Sequence, residues 1–256
     1  MNKVEERQRK IMDILKENKH ITINELGEML NVSHLTIRRD LKTLEESQNI
    51  TISYGGIVFS NEDFSQYSKR ECENLELKSR IAKKALNYVE DNDIIYIGGG
   101  STCVEFAKSL FENKPNLNIK IITSCANVAK ITSKMMFANI TLVGGNFINE
   151  NESMVSLFTL DVIKTLNFNK AFLGCLGLTD EKGAMFIDIT LAKLKKIIAK
   201  NSQNVIVLCD YTKIGKHSMA TGLNIDDIDI IITNKNAQDL NDYGFIKKHE
   251  VKVDLV

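Results

Sequence analysis

The sequence predicts an α/β chain in two parts: a small helical domain closed by a β-hairpin, then a larger domain built on a mainly parallel sheet. Three observations carry this. N-terminal apolar residues recur at helical spacing, and from residue 75 onward short apolar runs alternate with helical segments. The length of 256 residues also exceeds the about 100–200 usual for one domain. The boundaries read as 1–59 for the first domain, 60–74 for a linker and 75–256 for the second domain.

Composition narrows the function classes. Apolar residues make up 43% and charged residues 26%, enough for a real core in a soluble chain. Lys+Arg and Asp+Glu are 33 each, so the formal charge is zero, which excludes a protein that coats nucleic acid through bulk charge. Cys72, Cys103, Cys125, Cys175 and Cys209 stand far apart among mostly apolar neighbours, with no C-x-x-C pair and no His at a zinc spacing. They read as buried, reduced thiols, and neither a metal nor a cofactor is expected. With no leader-type segment and no apolar run near 18 residues, a cytoplasmic location is expected.

Taken in order, Val4 to Asn18 carries Val4, Ile11, Ile14 and Leu15 at near-helical spacing and reads as a supporting helix. Ile21-Thr22-Ile23 reads as a short strand. Thr22-Ile23-Asn24-Glu25 is a capping box that opens a helix with Leu26, Met29 and Leu30, and Asn31, tolerant of the left-handed conformation, stops it. Ser33 caps the next helix, where Ile37, Leu41 and Leu44 share one stripe. At about 100° per residue, Leu35, Arg38, Arg39 and Lys42 fall on the opposite side, flanked by His34 and Thr36. Two helices joined by so short a turn, the second basic, make a helix-turn-helix, and paired guanidinium groups on its outer face suit a DNA major groove. Beyond it, residues 49–59 alternate apolar and polar around Gly55-Gly56, a hairpin signal and the expected wing.

The polar run 60–74 reads as the linker, and Leu75 to Val89 as a helix. Strands are predicted at Ile94–Ile97, Ile119–Ile122, Ile140–Val143, Ala171–Leu173, Val205–Leu208 and Ile230–Ile232, and runs so apolar imply a sheet covered on both faces. A helix from Gln238 to His249 and a final strand, Val251 to Leu255, complete the pattern.

In open α/β sheets ligands sit at the carboxyl ends of the strands. After Ile97 come Gly98-Gly99-Gly100-Ser101-Thr102 and an apolar-striped helix, a loop able to cradle an anion on free N–H groups and hydroxyls. A tight structural turn is the alternative reading. Thr123-Ser124, Gly144-Gly145, Gly174, Gly177, Asp210 and Lys213 follow other strands, and together describe a pocket for a small phosphorylated polyol.

Val32-Ser33, Thr36-Ile37-Arg38-Arg39-Asp40-Leu41, Leu44-Glu45 and Gly55-Gly56 resemble the N-terminal signature of the DeoR family of bacterial sugar-metabolism repressors. Gly100-Ser101-Thr102, Thr123, Gly144-Gly145, Ala171–Gly174, Gly177, Gly183, Lys195 and Asp210–Lys213 resemble landmarks of its effector domain, so the likeness spans nearly the whole chain. The resemblance implies a winged helix-turn-helix and an effector domain similar to ribose-phosphate isomerase and CoA transferase folds. It implies operator DNA read by Ser33, His34, Leu35, Thr36, Arg38, Arg39 and Lys42, and a sugar-phosphate effector that alters operator affinity. Gly100, Ser101 and Thr102 would hold the phosphate, Thr123 and Gly145 would line the pocket, and Lys213 would add charge. Gly98, Gly99, Ser124 and Asp210 complete the effector set, and a homodimer or homotetramer is expected.

The chain departs from the family pattern at Ile52 and Tyr54, where an Arg and a His are usual. It departs again at Gly98 for Asp, Ser124 for Asn and Ser156 for Gly. Two competing classes remain. One is a sugar-phosphate isomerase or deaminase using Asp180, Asp188, Asp210 or His217, although the glycine loop carries no carboxylate for a general base. The other is a DNA-binding protein whose α/β domain serves only assembly.

Overall fold

Helix signals and apolar runs become structure nearly where the sequence places them. The computed structural model describes residues 3–17, 21–47, 50–53, 56–59, 66–149, 151–240, 244, 249 and 251–256. It forms two compact units, Met1–Glu76 and Leu77–Val256.

In the first unit α1 (Lys3–Glu17), α2 (Ile23–Leu30) and α3 (His34–Ser47) precede an antiparallel hairpin of β1 (Ile50–Ser53) and β2 (Gly56–Phe59). Ile11, Leu15, Leu26, Ile37, Leu41 and Leu44 form its core, while Val4 and Met29, expected on apolar stripes, are exposed. Ile21 makes only a single bridge: Thr22 caps α2 and Ile23 is already helical, so no strand can form there. The hairpin pairs Ser53 with Gly56, and Tyr54 and Gly55 between them lie outside the described residues. Of the linker expected at 60–74, residues 60–65 lie outside the described residues and α4 (Gln66–Cys72) occupies most of the rest. Tyr67 and Cys72, two apolar residues in a polar run, are buried there.

The second unit opens with α5 (Leu75–Ala85), a 3-10 turn at Leu86–Tyr88, β3 (Ile94–Ile97), α6 (Ser101–Asn113), β4 (Lys120–Thr123) and α7 (Ala126–Thr132). There follow β5 (Asn139–Leu142), β6 (Asn146–Ile148), β7 (Ser153–Val155), α8 (Leu157–Lys164) and β8 (Phe168–Gly174). Next come β9 (Gly177–Thr179), β10 (Gly183–Phe186), α9 (Ile189–Lys200) and β11 (Ser202–Leu208). β12 (Ala220–Leu223), β13 (Ile230–Thr233) and β14 (Lys252–Leu255) complete the unit.

Seven strands form one parallel sheet in the order β14-β13-β11-β8-β3-β4-β5. β3 is an interior strand, Ile95 opposite Ile121 of β4 on one side and Tyr96 opposite Ala171 of β8 on the other. Ile95, Ile97, Ile121, Phe172, Val207 and Ile231 are wholly buried, as two-sided cover requires. The edge strand β5 is the exception, with Leu142 44% exposed. The short antiparallel pieces β12-β10-β9 and β6-β7 are too brief and glycine-rich for their period to show in the sequence.

The helix expected from Gln238 to His249 is not seen at its start. A 3-10 turn spans Lys235–Asp239, Leu240 is extended, and most of the remainder lies outside the described residues. All five cysteines are free; Cys175 is half-buried and the other four are buried. No helix among the described residues is long and apolar enough to cross a membrane.

His249 ties this end of the chain to the second unit. Its Nε2 lies 2.8 Å from Asp180 Oδ1 and its Nδ1 3.0 Å from Asp226 Oδ1. The hydrogen bond to Asp180, then that to Asp226, raises its pKa above the usual imidazole value. A raised folded-state pKa contributes stability that is complete below the unfolded value near 6.5 and is lost as pH climbs through the folded value. His249→Ala should therefore lower the melting temperature at pH 5.5 and leave it nearly unchanged at pH 8.5, a contrast that differential scanning fluorimetry reads directly.

Candidate functional site

The first candidate surface is built from α2 and α3. The Thr22 Oγ1 accepts from the Glu25 N–H at 3.2 Å, and the Glu25 carboxylate accepts from the Thr22 N–H at 2.8 Å, closing the expected capping box. Asn31 ends α2 in the left-handed conformation, φ 51° and ψ 48°, and its N–H donates to Glu28 and Gly27 carbonyls. Ser33 Oγ accepts from the Thr36 N–H at 3.3 Å and starts α3. Gly27 was not singled out from sequence, yet a Cβ there would stand 3.1 Å from both His34 Cδ2 and the Val32 carbonyl. Its missing side chain lets the two helices close on each other.

The stripe of Ile37, Leu41 and Leu44 is buried, while Arg38, Arg39 and Lys42 are exposed and Leu35 is 63% exposed. Ser33 and His34 are also exposed and Thr36 half-buried, so the expected set shares one accessible edge. Such an edge can offer guanidinium forks to guanine or to phosphate.

Asp40, on the core side, is 4% exposed. Arg7 of α1 grips it with both ends of its guanidinium, Nε to Oδ2 at 2.5 Å and Nη2 to Oδ1 at 3.1 Å. That hydrogen bond raises the Arg7 pKa further, and the pair locks α3 against α1. Sequence reading had Asp40 in a motif but no partner for it, because Arg7 lies a whole helix away. Asp40→Asn should cost about 3 kcal/mol, the low end for breaking a buried pair since Arg7 keeps some solvent. Urea unfolding of the full chain checks it.

The second candidate site lies along the carboxyl ends of five adjacent strands, β11, β8, β3, β4 and β5. Gly98, Gly99 and Gly100 follow β3, and Gly100, at φ +104°, is the N-cap of α6 with no side chain capping the helix. The first-turn N–H groups therefore have no side-chain acceptor, the electrostatic condition for holding an anion. A Cβ on Gly99 would fall 1.9 Å from Ser153 Oγ, so only glycine fits beneath the start of β7. At Gly100 a Cβ would meet nothing within 4 Å, and this face of the loop is open. Ser101 is half-buried and Thr102 buried.

On the neighbouring strand Thr123 and Ser124 are wholly buried. The Thr123 hydroxyl donates to the Ile97 carbonyl at 2.7 Å, and Ser124 Oγ meets the Tyr96 hydroxyl at 2.9 Å. Both residues shape the floor and expose no hydroxyl. Gly145 is exposed beside Thr159, whose Oγ1 donates to the Gly144 carbonyl at 2.6 Å. Asp210 caps a 3-10 turn, its Oδ1 accepting from the Thr212 N–H at 2.9 Å while Oδ2 has no hydrogen-bond partner among the described residues. Lys213 closes that turn, half-buried. Gly98–Thr102 thus adjoin Thr123 and Ser124, whereas Gly145 and Asp210 with Lys213 stand two strands away on either side.

The carboxylates considered for enzyme chemistry have other work. Asp188 caps α9 through the Leu191 N–H at 2.7 Å, Asp180 meets His249, and His217 is exposed.

Lys195 is absent from the predicted site residues, yet its side chain ends beside Gly98. It is 1% exposed, its Nζ has no hydrogen-bond partner among the described residues, and it lies 5.4 Å from the centre of the Tyr96 ring. A Cβ on Gly98 would stand 2.9 Å from that Nζ. Burial lowers the Lys195 pKa to about 8. In the sequence Lys195 stands among the landmarks of the family resemblance and beside the apolar residues of α9, and those were the available signals.

A pKa lowered from 10.5 to about 8 means the charged form costs roughly 3 kcal/mol of stability below pH 8, a cost relieved as pH rises toward 10.5. Lys195→Met should raise the melting temperature at pH 7, and the gain should shrink by pH 10.5. Equal gains at both values would contradict the buried charge.

The DeoR-like helix-turn-helix domain model matches residues 7–63, and the DeoR C terminal sensor domain model matches residues 73–235. The chain is 32% identical over 231 residues to the HTH-type transcriptional regulator GolR of Listeria innocua, covering 90% of each. It is 30% identical over 242 residues to the lactose phosphotransferase system repressor of Staphylococcus epidermidis, covering 92% of this chain and 94% of that protein. Among solved structures, ribose 5-phosphate isomerase A of Methanocaldococcus jannaschii aligns with 55% of each chain at 20% identity and a TM-score of 0.39.

Proposed function

The chain belongs to the DeoR family of transcriptional regulators, and from that premise we propose that it represses a sugar-metabolism operon under control of a phosphorylated sugar. One observation carries the reading. The stripe of α3 opposite Arg38, Arg39 and Lys42 is wholly committed to the core, so the basic edge has a fixed outward direction. Ser33, His34, Leu35 and Thr36 extend that edge toward the helix N-terminus, where base contacts in such motifs concentrate. The likeness to a lactose phosphotransferase system repressor supports the sugar assignment, and α5 through β14 supply the sensor.

In this reading a cytoplasmic homodimer or homotetramer presents two copies of α3 to half-sites about 34 Å apart, or a multiple of that spacing. The effector phosphate sits on the N–H groups at Gly100–Thr102, Gly98 and Gly99 give it backbone access, and Thr123 and Ser124 support the floor. Gly145, Asp210 and Lys213 bound the two ends. Coupling arises if the ligand favours one arrangement of the two units over another. Among the described residues the glycine loop carries no carboxylate to act as the base of an isomerase, and the relatives are regulators.

Fluorescence anisotropy with a duplex from upstream of the protein's own gene, titrated with salt, tests this. Arg38→Ala and Arg39→Ala should each weaken binding by about tenfold, with relaxed preference at one base for a base contact or a smaller salt slope for a phosphate contact. Unchanged affinity in both variants refutes the assignment of α3 as the reader.

A further inference from the structure

The glycine loop supplies backbone N–H groups, but the ammonium beneath it has gone unexplained. Lys195 reaches from α9 to the carboxyl end of β3 and ends against Gly98, buried, without a hydrogen-bond acceptor among the described residues. Its surroundings are the Tyr96 ring, the thiols of Cys103 and Cys125, and the Gly98 backbone. None of these carries a negative charge at neutral pH: burial raises the pKa of both thiols and of the Tyr96 hydroxyl. A ring face offers only partial compensation for a desolvated cation. A buried ammonium kept without counter-charge is a standing cost, and a carboxylate is the group that removes it through a charge-assisted hydrogen bond.

We propose that the effector is a phosphorylated sugar acid, whose carboxylate is received by Lys195 beside Gly98 while its phosphate rests on the loop at Gly100, Ser101 and Thr102. The inference deepens the sensor reading above and rests on it. Gly98 and Gly100 are two chain steps apart, at most about 7 Å, which is the reach of a short acid from carboxylate to phosphate. The open face at Gly100 gives the entry, and the lysine stem lets the ammonium swing to meet the anion. Glycine at 98 leaves the space beside Nζ to the ligand, since a Cβ there would already stand 2.9 Å from the ammonium. The unpartnered Oδ2 of Asp210, two strands away, is an acceptor and suits hydroxyls at the far end of the ligand. The phosphate and the polyol alone would leave Lys195 as it stands.

Isothermal titration of the full chain with matched probes decides the matter. The probes are 3-phosphoglycerate against glycerol 3-phosphate, 6-phosphogluconate against glucitol 6-phosphate, and inorganic phosphate. At least one acid should bind about tenfold or more tightly than its polyol partner, the scale of one charge-assisted contact. Lys195→Met should abolish that preference and leave polyol and inorganic phosphate binding within about twofold, since it removes no phosphate contact. Raising the pH from 7 to 9 should weaken the acid alone, as Lys195 loses its proton above about 8. Gly98→Asp, which supplies the carboxylate from within, should cancel the preference too and guards against a misfolded Met variant. Polyol phosphates that bind as well as the acids, or a preference that survives in both variants, overturn the acid assignment and leave the phosphate site standing. Failure of every probe, inorganic phosphate included, overturns both.

Discussion

The burial of Ile37, Leu41 and Leu44 against Ile11, Leu15 and Leu26 is the interaction on which the first unit depends. Each fully buried aliphatic side chain is worth about 1.5–3 kcal/mol, so three on one stripe outweigh any exposed charge contact on the same helix. A helix pinned on one side has no freedom to roll. Arg38, Arg39 and Lys42 therefore face away from the core as a mechanical result of apolar packing. The Arg7–Asp40 pair adds a directional constraint that packing alone lacks, since its bidentate geometry fixes position along the helix as well as rotation about it.

In the second unit the corresponding constraint is the parallel direction of seven strands. Parallel strands put every carboxyl end on one side, so loops far apart in sequence become neighbours in the order their strands are paired. β3 is an interior strand flanked by β8 and β4, and its glycine loop is the point toward which Thr123, Ser124 and Lys195 converge. Asp210, Lys213 and Gly145 flank it because β11 and β5 lie one strand further out.

The strands and the three N-terminal helices were legible because their apolar spacing is long and regular, as in the run Ile94–Ile97 or the stripe of α3. The glycine loop was legible as a loop, and its neighbours as strand ends. What sequence could not provide was contact across the chain. Arg7 and Asp40 have the whole of α2 between them, Lys195 and Gly98 about half of the second unit, and no local pattern joins either pair. Gly27 looked like an interior helix residue, whereas its role is a close approach between helices. Thr123 and Ser124 were read as pocket lining from residue type, and burial turned their hydroxyls inward to Ile97 and Tyr96. The polar composition of 66–72 hid a helix that buries Tyr67 and Cys72.

Gly99 and Ser153 are so close that the hydroxyl fills the volume a side chain at 99 would take. Two surfaces in such contact behave as meshed teeth: neither can advance on the other. A shift of the loop toward β7 must carry the β6–β7 hairpin with it, and Ser156, which follows β7, caps α8 through Thr159. The loop after β3 and the start of β7 are thereby held in register, with the bare glycine as the point where the teeth engage.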